Sequence, residues 1–73
     1  MKDFSLQLRL LRTAHNLTQA GLAYELERIS DVQVSQSTIC RLENGRSIPD
    51  AEILVNLTRI FHCDIHQLIS FQK

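Results

Sequence analysis

Apolar positions recur along this chain at helical spacing, and no segment alternates regularly enough to predict a strand. Phe4, Leu8 and Leu11 are separated by four and three positions and define the inner stripe of a first helix, from about Phe4 to His15. Asn16 stands where a left-handed residue would end it. Thr18 is a natural N-cap for a second helix that starts at Gln19 and turns Leu22, Ala23, Leu26 and Ile29 inward. Gly21 in its first turn departs from good helix chemistry, at a cost of ~1 kcal/mol against Ala. Ser30 to Gln33 reads as a loop. Ser35 caps a third helix that buries Ile39 and Leu42 and ends at Asn44-Gly45. Pro49 disfavours helix at Ile48. Asp50 then caps a fourth helix, with Glu52 near its positive end and Ile53, Leu54, Leu57, Ile60 and Phe61 as its stripe. Asp64 caps a short fifth, carrying Ile65, Leu68 and Ile69. The pattern predicts an all-α fold: five short helices around one core, with residues 1–73 forming a single domain.

Length and charge narrow the picture. With 73 residues, 44% of them hydrophobic, the chain is near the size at which one core becomes marginal. The apolar runs are too short for a transmembrane helix, and Asp3, Arg9 and Arg12 interrupt any signal-peptide centre. A cytoplasmic protein is expected. Cys40 and Cys63 form no C-x-x-C pair and read as free thiols. No Ser-His-Asp set or carboxylate pair is suggested, so an enzyme is not expected, and no cofactor is implied. His62, Cys63, Asp64 and His66 could ligate a metal, but they straddle a helix junction and no second ligand cluster exists. No metal site is predicted. Eight Lys/Arg balance eight Asp/Glu. That balance counts against nucleic acid unless the cations share a face, because phosphate neutralisation draws on a basic surplus.

The third helix raises that possibility. On a wheel of ~100° per residue, Ile39, Leu42 and Thr38 cluster on one side. Gln36, Ser37, Cys40, Arg41 and Asn44 occupy the opposite arc. That arc has hydrogen-bonding groups, one strong cation and little bulk. A helix fits the major groove of B-DNA, where Gln pairs bidentately with adenine, Arg with guanine, and Ser with either. The same arc would equally suit a solvated surface. Cys40 on this arc could also serve as a redox switch, since oxidation would add bulk and polarity there.

The surrounding order is more specific. Leu17-Thr18-Gln19 precedes Leu22-Ala23-x-x-Leu26; Ser35-x-Ser37-Thr38-Ile39 follows, then Leu42-Glu43-Asn44-Gly45 and Pro49. Over roughly residues 6 to 70 this resembles the Cro/repressor-type, lambda-repressor-like helix-turn-helix DNA-binding proteins. The resemblance implies a compact five-helix domain with its motif at about residues 18 to 45. The helix from Gln19 would cross the DNA backbone and the helix from Gln36 would enter the major groove. Gln36, Ser37, Cys40 and Arg41 then become candidates for base reading. Gln19, with Thr18 beside it, matches the position that holds a phosphate at a helix start. Thr38, Asn44, Arg46 and Ser47 match the phosphate-contacting region, although Thr38 also faces inward on the wheel. Arg12 and Glu43 match an ion pair joining the first helix to the end of the third.

This sequence departs from the pattern between the motif helices. Leu26 and Val34 are eight positions apart, where the family closes the step in about two; a longer second helix and a lengthened turn within residues 27–33 are expected. Arg28 there is a further phosphate candidate, whereas Glu27 and Asp31 would oppose DNA. His62 occupies a place where the family favours Gly, so it should adopt a left-handed conformation, and Cys63 matches a small core position. The tail from Asp64 is rich in apolar residues, which makes Ile65, Leu68, Ile69 and Phe71 candidates for a dimer interface. The resemblance therefore implies a regulator that binds double-stranded DNA, most simply a small repressor acting as a homodimer on an inverted repeat. Zero net charge favours the rival reading, a protein-interaction module such as an antitoxin that binds a toxin or a polymerase partner.

Overall fold

In the computed structural model, residues 2–69 are described, with side chains from Phe4 onward. The helices are α1 (Lys2–Ala14), α2 (Gln19–Ser30), α3 (Gln36–Glu43), α4 (Ala51–Phe61) and α5 (Ile65–Leu68). No helix among the described residues is long and apolar enough to cross a membrane. α2 packs on α3 and α4, α1 packs on α3 and α5, and α4 also meets α5.

Local chemistry sets the helix ends. Thr18 Oγ1 accepts from the Gly21 amide at 2.9 Å, Ser35 Oγ from Thr38 at 3.2 Å, and Asp50 Oδ1 from Ile53 at 2.9 Å. Each bond serves a first-turn amide, worth ~1 kcal/mol; the Thr38 amide also reaches the Ser35 carbonyl at 3.0 Å. Before α5, the Asp64 amide donates to Gln67 Oε1 at 3.1 Å. Three non-glycine residues reverse the chain in the left-handed region: Asn16 (φ 59°), Asp31 (φ 61°) and His62 (φ 53°). After α3 that work falls to Gly45 (φ 74°). Asn44 stays at φ −97° and its amide donates back into the helix.

One core gathers Phe4 and Leu8 of α1, Leu22, Ala23 and Leu26 of α2, and Val34, Ile39 and Leu42 around α3. Leu57 and Phe61 of α4 and Leu68 of α5 complete it. Leu68 is completely buried. This corrects its assignment as a dimer candidate. α5 turns back onto α1 and α4, so its single turn closes the core with that side chain. Ile65 and Ile69 are half-buried, Ile69 against the core; Phe71 lies outside the described residues.

The extra residues between the motif helices extend α2 to Ser30. The left-handed Asp31 stops the helix, and the Val32 amide donates to Ser30 Oγ at 3.3 Å. Val32 packs against the core edge. Ile29 is only half-buried and lies in a shallow recess between α2 and α4. The lengthened connection thus hands the chain to Val34 and Ser35 with α3 still packed against α2.

Candidate nucleic-acid interface

The interface rests on a polar seam between α1, α2 and α3. Glu43, at the C-terminal end of α3, has a side chain only 2% exposed, and Arg12 reaches it with both Nε and Nη2. Arg12 Nη1 donates to the Leu17 carbonyl at 2.8 Å, so one guanidinium ties α1, the α1–α2 turn and α3. Gln19 Nε2 donates to Glu43 Oε1 at 3.1 Å. Ser5 Oγ donates to the Leu42 carbonyl at 2.8 Å, and Arg9 Nη2 to the Glu43 carbonyl at 3.4 Å. Both bonds reach carbonyls of the last turn of α3, and the Leu42 carbonyl also accepts from the Gly45 amide at 3.3 Å. Burial pushes the Glu43 carboxyl up. The hydrogen bonds from Arg12 and Gln19 and the charges of Arg12 and Arg9 outweigh it, and the group titrates below its ordinary range. The bond to Glu43 raises Arg12 in turn. The ion pair expected from the sequence is therefore present, and it fixes where α3 sits.

From that seam α3 presents its other side. Gln36, Ser37 and Arg41 are exposed, and Cys40 is half-buried with Asn44 Nδ2 at 3.3 Å from its sulfur. Arg41 makes two long contacts, Nε to Ser47 Oγ and Nη2 to Thr38 Oγ1, each 3.4 Å. Bonds of that length are easily exchanged for a better acceptor. They hold the guanidinium over the junction of α3 with the following loop. Arg46 is exposed in that loop and Ser47 is half-buried beside it. Thr38 is half-buried and shares its hydroxyl with Ser35 at 3.2 Å.

The start of α2 adds an anion-friendly point. It carries the positive end of the helix dipole. The hydroxyl proton of Thr18 is left to donate, since its oxygen already accepts from Gly21. Gln19 is half-buried and gives one amide hydrogen to Glu43; the other is available.

The profile of the helix-turn-helix domain family matches residues 3–68. The chain belongs to that family. It is also 35% identical over 71 residues to the HTH-type transcriptional activator BcrR of Enterococcus faecalis, covering 97% of this chain and 32% of that one. The chain thus spans about a third of the length of this curated relative. No solved structure matches it.

Within the helix-turn-helix frame, not every candidate falls on one surface. Arg28 pairs with Glu25 and lies at the far end of α2, in a recess with Arg59 and His62 of α4. It is not brought together with Arg41 and Arg46. Tyr24 and Gln33 were not singled out by sequence, yet they rim an open recess with Gln36 at the start of α3, and Tyr24 is 63% exposed. A large aromatic on the polar side of an amphipathic helix was the available signal. Glu27 lines the same recess and brings negative charge to it. Cys63 is half-buried, and burial, then Asp64, raises its thiol. Among the described residues no three His, Cys, Asp or Glu side chains form a group able to hold a metal.

Proposed function

We propose that this chain is the sequence-specific double-stranded DNA-binding domain of a transcriptional regulator, with α3 in the major groove. The observation that carries this reading is the outward arc of α3. It presents Gln36, Ser37 and a loosely held Arg41 on a helix whose opposite side is anchored by Glu43. Gln36, Ser37, Cys40 and Arg41 read base edges. Thr18, Gln19, Thr38, Asn44, Arg46 and Ser47 fix the register on phosphates. Arg28 plays at most a peripheral part, because it faces α4 and is already paired.

The domain works as a homodimer on an inverted repeat, since doubling a modest contact set raises both affinity and selectivity. Repression needs only that such a dimer cover a promoter. Activation needs a further contact with polymerase, and the activator name of the relative favours that sign. Zero net charge favours the rival reading as a toxin- or partner-binding module. The test is selection of sites from a random duplex pool, followed by titration of the enriched sites at two salt concentrations. Enrichment of an inverted repeat, with affinity falling steeply with salt, is expected. A folded sample that enriches nothing contradicts DNA reading and favours the protein-binding alternative. Placing the enriched site in a reporter promoter then gives the sign of regulation.

A further inference from the structure

The outer side of α4 has an arrangement that DNA reading does not use. Val55 is 52% exposed at its centre. Glu52 lies one turn before it and Arg59 one turn after it, both exposed. Among the described residues neither charged side chain has a hydrogen-bond or ion-pair partner, whereas the neighbouring Arg28 is occupied by Glu25. Ile29, on the added turn of α2, widens the apolar centre alongside Val55 and Arg59. The surface has an apolar middle, an acid at one end and a base at the other.

We infer that this α4 surface is the contact between two copies of the chain, paired antiparallel about a two-fold axis beside Val55. The register follows from helix geometry. Glu52 and Arg59 are seven positions apart, which is about two turns and ~10.5 Å along one side of the helix. Their midpoint falls between Val55 and Asn56. A two-fold axis there brings each Glu52 to the height of the partner copy's arginine at position 59, and brings the two Val55 side chains together. A two-fold contact must be self-complementary, and an acid and a base equally spaced about one apolar residue satisfy that condition. Antiparallel pairing also sets the acidic start of each α4 against the basic end of the other, in line with the helix dipoles. The contact uses no residue of α3 and none of the loop bearing Arg46 and Ser47. It therefore leaves the reading surface clear.

This inference rests on the homodimer part of the proposed function and supplies its interface, away from α5. The test is sedimentation equilibrium of the chain, its E52R and R59E single variants, and the E52R/R59E double variant. Circular dichroism melts check that each is folded. The singles should dimerise about tenfold more weakly, because like charges then face each other twice. The double variant has the same net charge as the parent and should recover the dimer; an equimolar mixture of the two singles should recover it too. If the singles dimerise as the parent does, or the double variant stays as weak as they are, the α4 contact is overturned while the homodimer survives elsewhere. If the parent is monomeric at every concentration, the contact and the homodimer both fall. Binding of a single half-site duplex, measured on the same samples, would still report DNA reading independently.

Discussion

Arg12 and Arg41 are the same residue in two opposite settings. Arg12 has a side chain 14% exposed and spends three nitrogens on Glu43 and Leu17. Arg41 is exposed and, among the described residues, held by two contacts of 3.4 Å. One arginine is committed to the fold and the other is available to a ligand. The contrast shows why a balanced charge count says little about nucleic-acid binding. Glu43 and Arg12 turn inward on each other, so one acid and one base leave the surface together, and the count says nothing of where the remaining charges sit. The surface that matters is set by which charges the seam has already consumed.

The comparison breaks most severely at the seam. Arg12→Ala leaves Glu43 buried without its cation, and a loss of about 3–5 kcal/mol is expected from a domain with little to spare. Thermal melts should show it, and DNA binding should fail with the fold. Acid attacks the same pair. The Glu43 carboxyl is depressed in the folded state, so its contribution is complete above the ordinary Glu range near ~4.3. It declines as pH falls through the lower folded value. Stability should therefore drop on acidification below about pH 5. That acid-side slope should flatten in Glu43→Gln, whose neutral amide no longer titrates. A slope unchanged in that variant would place the acid sensitivity elsewhere.

The outer arginine should behave in the opposite way. Arg41→Ala is expected to cost about 1–3 kcal/mol of discrimination at one base pair and to leave the melt where it was. A large shift in the melt would make Arg41 a structural residue. Smaller again is Gln19→Ala, which should weaken binding to all duplexes alike by about 0.5–1.5 kcal/mol. Competition with matched and scrambled duplexes would reveal a loss confined to one sequence, and with it a base-reading role. Arg46→Ala should lower the salt slope of binding by about one. Arg28→Ala should leave that slope unchanged, because Arg28 sits beside α4 with Glu25.

The caps were legible because capping is local: Thr18, Ser35 and Asp50 each accept from an amide three residues on. Asn16 was expected to be left-handed from its place at the helix end and His62 from the resemblance to the family, and both are. The link between Arg12 and Glu43 spans 31 positions. No periodicity could supply it, and only the resemblance to the family did. Gln19 was harder still. The expectation of a phosphate contact came from the family, while its bond to Glu43 depends on how α2 and α3 meet in space. α5 shows the limit of pattern reading. Ile65, Leu68 and Ile69 are equally apolar in sequence, but a one-turn helix points only one of them fully inward, and that one is Leu68. Ile29 failed in the converse way: it continues the stripe of α2 but lies past the point where the core can cover it.

The most direct measurement is an amide chemical-shift titration of the labelled chain with its selected duplex. The account predicts the largest changes at Gln36, Ser37, Cys40 and Arg41, at Thr18 and Gln19, and around Arg46 and Ser47, with the Arg28 end of α2 little affected. Changes centred on Arg28, Arg59 and His62, with α3 silent, would contradict it.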